Sequence, residues 1–406
     1  MHDSAVSGNR RDFIKQATVL GASLTVGTAF ASLDKTTKST KQSTQSDQHA
    51  YPFYGTHQQG ITTPGQKHIY FMVLDLHTDD LNEIKEMFKT WTQYSANLTQ
   101  GKLVKPYGSN TYVPPTDTGE AASLDANHLT LTFGVSPSFF DKLKIEKLKP
   151  EHFKELPHFP RDQLRPEYTG GDICIQSCAD DPQVAFHAVH NLVRIARSTI
   201  TMKWSQSGFN SFEYTDTPRN LMGFKDGTGN LKGKELDDAV WYEGNDWLKN
   251  GSYLVARRIQ IHLETWDRTS YSEQENTFGR HRQSGAPFGE KKEFDNIDIE
   301  KKDAKGESIL PEDSHVFLAK KAIVPILRRS FSYASGVDPK TGQFDAGLMF
   351  IAFQKDPDNF IKIQNMFGNK DKLNEYITHI GSGLFACFAG VKDKDDYLGK
   401  ALFDAI

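Results

Sequence analysis

Two Asp-Pro dipeptides, Asp181-Pro182 and Asp356-Pro357, each open an amphipathic run, and they stand 175 residues apart (356 − 181). Aspartate at an N-cap accepts hydrogen bonds from the first free amides of a helix, and proline at the first turn gives up no bond there. Each pair therefore starts a helix, to about Arg197 and about Phe367. Apolar strand-like runs begin at His68 and Ser252, 184 residues apart (252 − 68). Between them the order of segments repeats. An amphipathic helix from about Asp79 to Asn97 follows the first strand, with Leu81, Ile84, Met87, Phe88 and Trp91 at helical spacing. Strands follow at 129–134, 172–178 and 199–205. In the second half they follow at 252–263, 328–334 and 344–354, with a helix near Trp266. A near-constant offset of this kind predicts a duplicated β-α-β-β-α-β unit. The expected class is α+β: two ferredoxin-like halves, antiparallel sheets with helices on one side, over 51–215 and 216–406.

Composition narrows the function without choosing it. A chain of 406 residues with 37 % hydrophobic and 25 % charged residues suits a soluble globular protein. A net charge of −4 argues against a general nucleic-acid binder. Phe, Tyr and Trp number 27, 14 and 5, which suits a large flat apolar ligand but equally fills ordinary cores. Of the three cysteines, Cys174 and Cys178 share one strand, about 13 Å apart, beyond disulfide reach. The chain is read as unstapled.

The N-terminus reads as an export address. Arg10-Arg11 precede a modestly apolar run, Ala17 to Phe30, and a small-x-small site at Ala29-Phe30-Ala31. The run is too short to span a bilayer comfortably. The expectation is a twin-arginine signal over 1–31, a polar linker over 32–50, and a mature form without a membrane span. The destination is secreted or cell-envelope, and periplasmic where the cell has two membranes.

Candidate chemistry clusters in the second half. Asn220–Asn230 carries glycines at 223, 227 and 229 around Asp226. Glycine lets the backbone take positive φ and lets a flat ligand approach closely, although most such runs are turns. His315 follows Pro311-Glu-Asp-Ser314 at the start of an apolar helix. It is either a core histidine bonded to backbone or a metal ligand, and a ligand would have its second nitrogen held by a carboxylate. Arg328 and Arg329 alternate across a strand, one toward solvent and one inward, where it needs an anionic partner. That partner is a structural carboxylate, a peroxide or a haem propionate. Lys320 and Lys321 are candidates for propionates, or are solvated.

Together these stretches resemble the DyP-type (dye-decolourising) haem peroxidases, and most nearly their exported deferrochelatase/peroxidase group. The resemblance rests on Pro52-Phe-Tyr-Gly-Thr-His57, Gly223-Phe-Lys-Asp-Gly-Thr-Gly229, Gly285-Ala-Pro287, Asp313-Ser-His315, Leu327-Arg-Arg329 and Gly390-Val-Lys-Asp393. It implies haem b, one per chain, in the C-terminal half. His315 matches the proximal iron ligand, Asp226 the distal acid, Arg328 the distal arginine. Gly227, Thr228 and Gly229 match the loop against the haem. It further implies hydrogen peroxide and an organic reductant or haem as reactants, with Asp226 acting as base and then acid and Arg328 stabilising developing charge. Activity is then expected to peak at acidic pH, and bulky dyes to be oxidised through surface Tyr or Trp. Iron release from haem, an iron-uptake permease, a lipoprotein and a homo-oligomer follow as implied associations. The alternative is a non-catalytic haem- or iron-binding partner of the permease.

Overall fold

A computed structural model describes residues 49–211 and 216–406. The expected signal peptide and all but the last two residues of the expected linker lie outside the described residues. The first half runs β1 (His68–Leu76), α1 (Leu81–Leu98), β2 (Thr130–Val135), α2 (Pro137–Leu143), β3 (Ile173–Ala179), α3 (Pro182–Ile195) and β4 (Ile200–Phe209). The second runs α4 (Lys234–Val240), β5 (Ser252–Ile261), α5 (Leu263–Trp266), α6 (Tyr271–Phe278), α7 (His315–Ala322), β6 (Leu327–Arg328), β7 (Phe331–Val337), β8 (Phe344–Gln354), α8 (Pro357–Phe367), β9 (Ile377–Cys387) and α9 (Lys400–Phe403). Both Asp-Pro caps form as read. Asp181 accepts from the amides of Gln183 and Val184, and Asp356 from that of Asp358. No helix among the described residues is long and apolar enough to cross a membrane.

All strand pairings are antiparallel. The first half is ordered β4-β1-β3-β2 and the second β9-β5-β8-β7, the same ferredoxin-like connectivity twice. β2 meets β9 and β4 meets β7, so the two sheets close into one barrel. Each seam carries a glycine. At the first, Gly134 pairs with Cys387, and a Cβ there would lie 3.0 Å from Phe385 Cβ. At the second, a Cβ on Gly208 would lie 2.9 Å from Ile69 Cγ2, Phe331 Cβ and Ser332 O. The strand expected over 328–334 is two pieces, β6 and β7, in one register against β8; between them Ile351 donates its amide to the Ser330 hydroxyl.

All three cysteines are free and buried. Cys174 and Cys387 both pair with Gly134, from the strands on either side, and their thiols meet across the glycine. Burial, then this contact, push the Cys174 thiol well above its ordinary value. Two strand spacings separate the backbones by about 10 Å, too far for a disulfide.

The halves differ in what covers the sheet. In the first, α1 and α3 pack directly on it, with Ile84, Phe88, Trp91 and Leu192 in one apolar cluster with Phe133 and Ile175. In the second, the connection that is α1's counterpart is broken into α5, α6, the segment 279–314 and α7. The sheet is left uncovered where α1 would lie, and a cavity opens there.

Candidate active site

The cavity encloses about 430 Å³ between β5, β8 and β9 on one side and α7, α8 and the loop 220–231 on the other. β5 is buried along its whole length, with its two faces in different surroundings. Ile259 and Ile261 face the cavity with Leu348 and Phe350 of β8. Leu254 and Ala256 face the barrel interior. There Arg258 is sandwiched between Tyr168 and Tyr333, 4.3 and 4.2 Å from their ring centres, and pairs with Asp345 at 2.8 Å.

His315 is the first residue of α7 and lines the cavity. Its Nδ1 lies 2.7 Å from Asp371 Oδ2. A carboxylate only accepts, so Nδ1 carries the proton and Nε2 keeps a free lone pair. The other Asp371 oxygen accepts from the Leu373 amide at 2.9 Å, which fixes the carboxylate at the first turn after α8. Asp371 is the partner that a ligand histidine requires. It stands 56 residues from His315, and no motif links them.

Asp226 and Arg328 line the same cavity, with Arg328 Nη1 donating to Asp226 Oδ1 at 2.8 Å. Thus the arginine's anionic partner in this structure is the candidate acid itself. Gly227 takes φ +111°, a conformation that side chains rarely adopt, and the Asp226 amide donates to Pro218 O at 2.8 Å. Gly227, Thr228 and Gly229 line the cavity, but the Thr228 hydroxyl donates away from it, to Glu293 at 2.9 Å. Glu293 also accepts from Lys225 Nζ at 2.6 Å and from the Thr217 hydroxyl, and so grips the loop on both sides of Asp226.

One expectation is corrected at Arg329. It alternates with Arg328 but does not reach solvent. It turns into the barrel side and donates to the carbonyls of Thr63 and Pro64 and to Gln66. The segment 60–66 covers that face, so both faces of the strand are occupied. Lys320 lines the cavity, whereas Lys321 Nζ lies 5.7 Å from the Phe317 ring centre and is not a lining residue.

Three buried cationic or titratable side chains were not read from sequence. Arg280, in the basic run Arg280-His-Arg282, is buried in the cavity wall and donates to Gly285 O and Glu293 O. Burial pulls its pKa down, Glu293 pulls the other way, and the charge of Arg328 pulls down again. Arg257 is fully buried against Asp162 and Ser382. Beside it, His379 is pushed down to about 3 by burial, then by the charge of Arg257.

These features fit haem. The sheet and Phe278 and Phe367 offer apolar walls, His315 Nε2 an axial donor, Asp226 and Arg328 a polar pair, and Lys320 and Arg280 positive charge for propionates. The chain matches family models for the Dyp-type peroxidase N-terminal region over residues 58–210 and its C-terminal region over 217–392. It is 36 % identical over 371 residues to a deferrochelatase of Shigella sonnei, covering 86 % of each chain. The deferrochelatase of Escherichia coli K12 is 35 % identical over the same length. Among solved structures, a DyP-type peroxidase from Streptomyces coelicolor superposes with a TM-score of 0.81 at 34 % identity, over 87 % of this chain and 97 % of that one. One from Cellulomonas bogoriensis gives 0.80 at 31 %, over 87 % and 98 %. The chain belongs to the Dyp-type peroxidase family, and haem is its cofactor.

Proposed function

We propose that this haem-dependent peroxidase reduces hydrogen peroxide at a site built from His315, Asp226 and Arg328, at the expense of an organic reductant. The observation that carries the reading is the 2.8 Å Asp226–Arg328 pair, lining one cavity with the 2.7 Å His315–Asp371 pair. Bound haem supplies the iron at which the O–O bond is cleaved and the electrons that the reductant later replaces. The protein supplies the rest. His315 Nε2 would hold the haem iron, and Asp371 sets the histidine's tautomer and ring orientation. Asp226 accepts the proton from one peroxide oxygen and delivers one to the departing oxygen, which leaves as water. Arg328 keeps positive charge beside that oxygen while negative charge develops. Lys320 and Arg280 would hold the propionates.

Stopped-flow mixing of the holoprotein with peroxide tests the assignment. Arg328→Leu and Asp226→Asn are expected to slow the first Soret change by about 10²- to 10³-fold, with guaiacol oxidation falling in step. A rate within twofold of wild type for both variants would refute the roles.

The relatives named deferrochelatase favour a second activity at the same site, release of iron from haem with the porphyrin left intact. Iron leaves only if two pyrrole nitrogens take up protons, and Asp226 is the acid lining the cavity nearest in chemistry to that need. Appearance of metal-free porphyrin fluorescence from supplied haem tests it. A non-catalytic partner of a permease leaves the Asp226–Arg328 pair without a task. We also propose export by the twin-arginine route, with residues 1–31 removed, and association with an iron-uptake permease and lipoprotein. Unchanged secretion of an Arg10→Lys/Arg11→Lys precursor would sink the export route.

A further inference from the structure

We propose that Asn230 is a positioning residue for the peroxide chemistry, holding the backbone of Arg328 so that its guanidinium meets Asp226. The inference rests on the roles proposed for Arg328 and Asp226. Asn230 Nδ2 donates to Arg328 O at 2.8 Å, and the Arg328 amide donates to Asn230 Oδ1 at 3.0 Å. The two residues are 98 apart in the chain. An asparagine side chain is itself a primary amide, with one acceptor and two donors. Here it makes the two bonds that a neighbouring strand would make.

That neighbour is missing from the sheet. β6 continues the line of β7 along β8, Arg328 opposite Ala352, but β7 has β4 on its other side and β6 has no strand there. The outer backbone groups of Arg328 would otherwise be open to water. Asn230 closes them, and the Asn230 amide donates to Gly227 O at 3.0 Å, which makes Gly227 to Asn230 one tight turn. Asp226 enters that turn directly. One small unit therefore holds both the partner of the guanidinium and the root of the arginine's side chain.

The ion pair alone does not fix this geometry. The side chains of Arg328 and Asp226 are 28 % and 20 % exposed, so water screens part of their attraction. An arginine has four rotatable bonds, so its head stays in place only if its root does. The two hydrogen bonds between the Asn230 side chain and the Arg328 backbone provide that. A merely structural role would stabilise the edge without acting on the reaction, and the two roles separate experimentally.

The test uses holoproteins of wild type, Asn230→Ala, Asn230→Asp, Arg328→Leu and Arg328→Leu/Asn230→Ala. The readouts are the peroxide rate constant, the fluoride dissociation constant from the Soret shift, and amide exchange of the segment 326–330. Asn230→Ala is expected to slow the peroxide reaction by about 10- to 100-fold and to weaken fluoride binding in step. Asn230→Asp, which cannot donate to Arg328 O, is expected to do the same. In the Arg328→Leu background Asn230→Ala should change neither. An equal loss in that background, or no loss in wild type, overturns the inference. Should Asn230→Ala fail to retain haem, unchanged exchange at Arg328 in the protein as isolated overturns it, and faster exchange upholds it. If Arg328→Leu itself leaves the peroxide rate untouched, the role given to Arg328 falls and the inference falls with it.

Discussion

His315 Nδ1 and Asp371 Oδ2 meet at 2.7 Å, joining the start of α7 to the turn after α8. The carboxylate side chain is 3 % exposed, so its charge is felt by the imidazole with little screening by water. Asp371→Asn keeps the shape and removes the charge. It is expected to weaken haem retention by about 10- to 100-fold and to raise the iron midpoint potential, because the axial nitrogen becomes a poorer donor. Transfer of haem to a competing apoprotein and spectroelectrochemistry measure the two effects. Unchanged values for both would mean that Asp371 serves only as the cap for Leu373.

Glu293 predicts a pH limit for the Asp226 loop. Burial works to raise its pKa, but hydrogen bonds from Lys225, Thr217 and Thr228 and the lysine's charge outweigh it, and the net shift is downward. A carboxyl with a lowered folded value contributes stability above its ordinary 4.5 and loses it as the pH falls through the folded value. Wild-type holoprotein is therefore expected to lose melting temperature below about pH 4.5 more steeply than Glu293→Gln. Melting curves from pH 3 to pH 7 compare the slopes.

His379 predicts a second, higher window. Its folded value of about 3 lies below the ordinary 6.5, so the unfolded chain takes up a proton at a pH where the fold does not. No stability is lost above 6.5, and stability falls as the pH drops from 6.5 toward 3. His379→Gln is expected to flatten urea-unfolding free energies between pH 6.5 and 5, where Glu293 is still charged. A slope equal to wild type would show that the imidazole takes up its proton without unfolding.

The seams predict where a single methyl group is costly. In Gly208→Ala the new carbon would press on Ile69, Phe331 and the Ser332 carbonyl, all at 2.9 Å. The expected loss is about 1–3 kcal/mol in chemical denaturation. Gly229→Ala, which meets nothing within 4 Å, should lose far less. Equal losses would remove the seam as the cause.

Local signals carried much of the fold. Asp181 and Asp356 announced their helices because a cap is written within four residues. β1, β3 and β8 are legible as apolar runs. β9 was not read, because Gly381 and Gly383 interrupt a segment that is buried on both faces and so shows no alternation. The glycine at 381 answers to Tyr168, whose carbonyl would lie 2.7 Å from a Cβ, and that crowding is invisible along the chain. The site divides the same way. Asp226, His315 and Arg328 stood out within short motifs. Asp371, Glu293 and Asn230 act on partners 56, 65 and 98 residues away, and nothing nearby marks them. Nothing along the chain sets Arg280 apart from its polar neighbours His281 and Arg282, and only the fold buries it.

The order in which the barrel closes sets the order of assembly. β9 is the last strand in chain order among the described residues, and it pairs with both β5 and β2 and supplies Ile377 and His379 to the cavity. Until residue 387 has left the ribosome, one seam is open and the pocket lacks a wall. Haem retention is thus expected to require the strand 377–387, although it is the last strand of the barrel to be made.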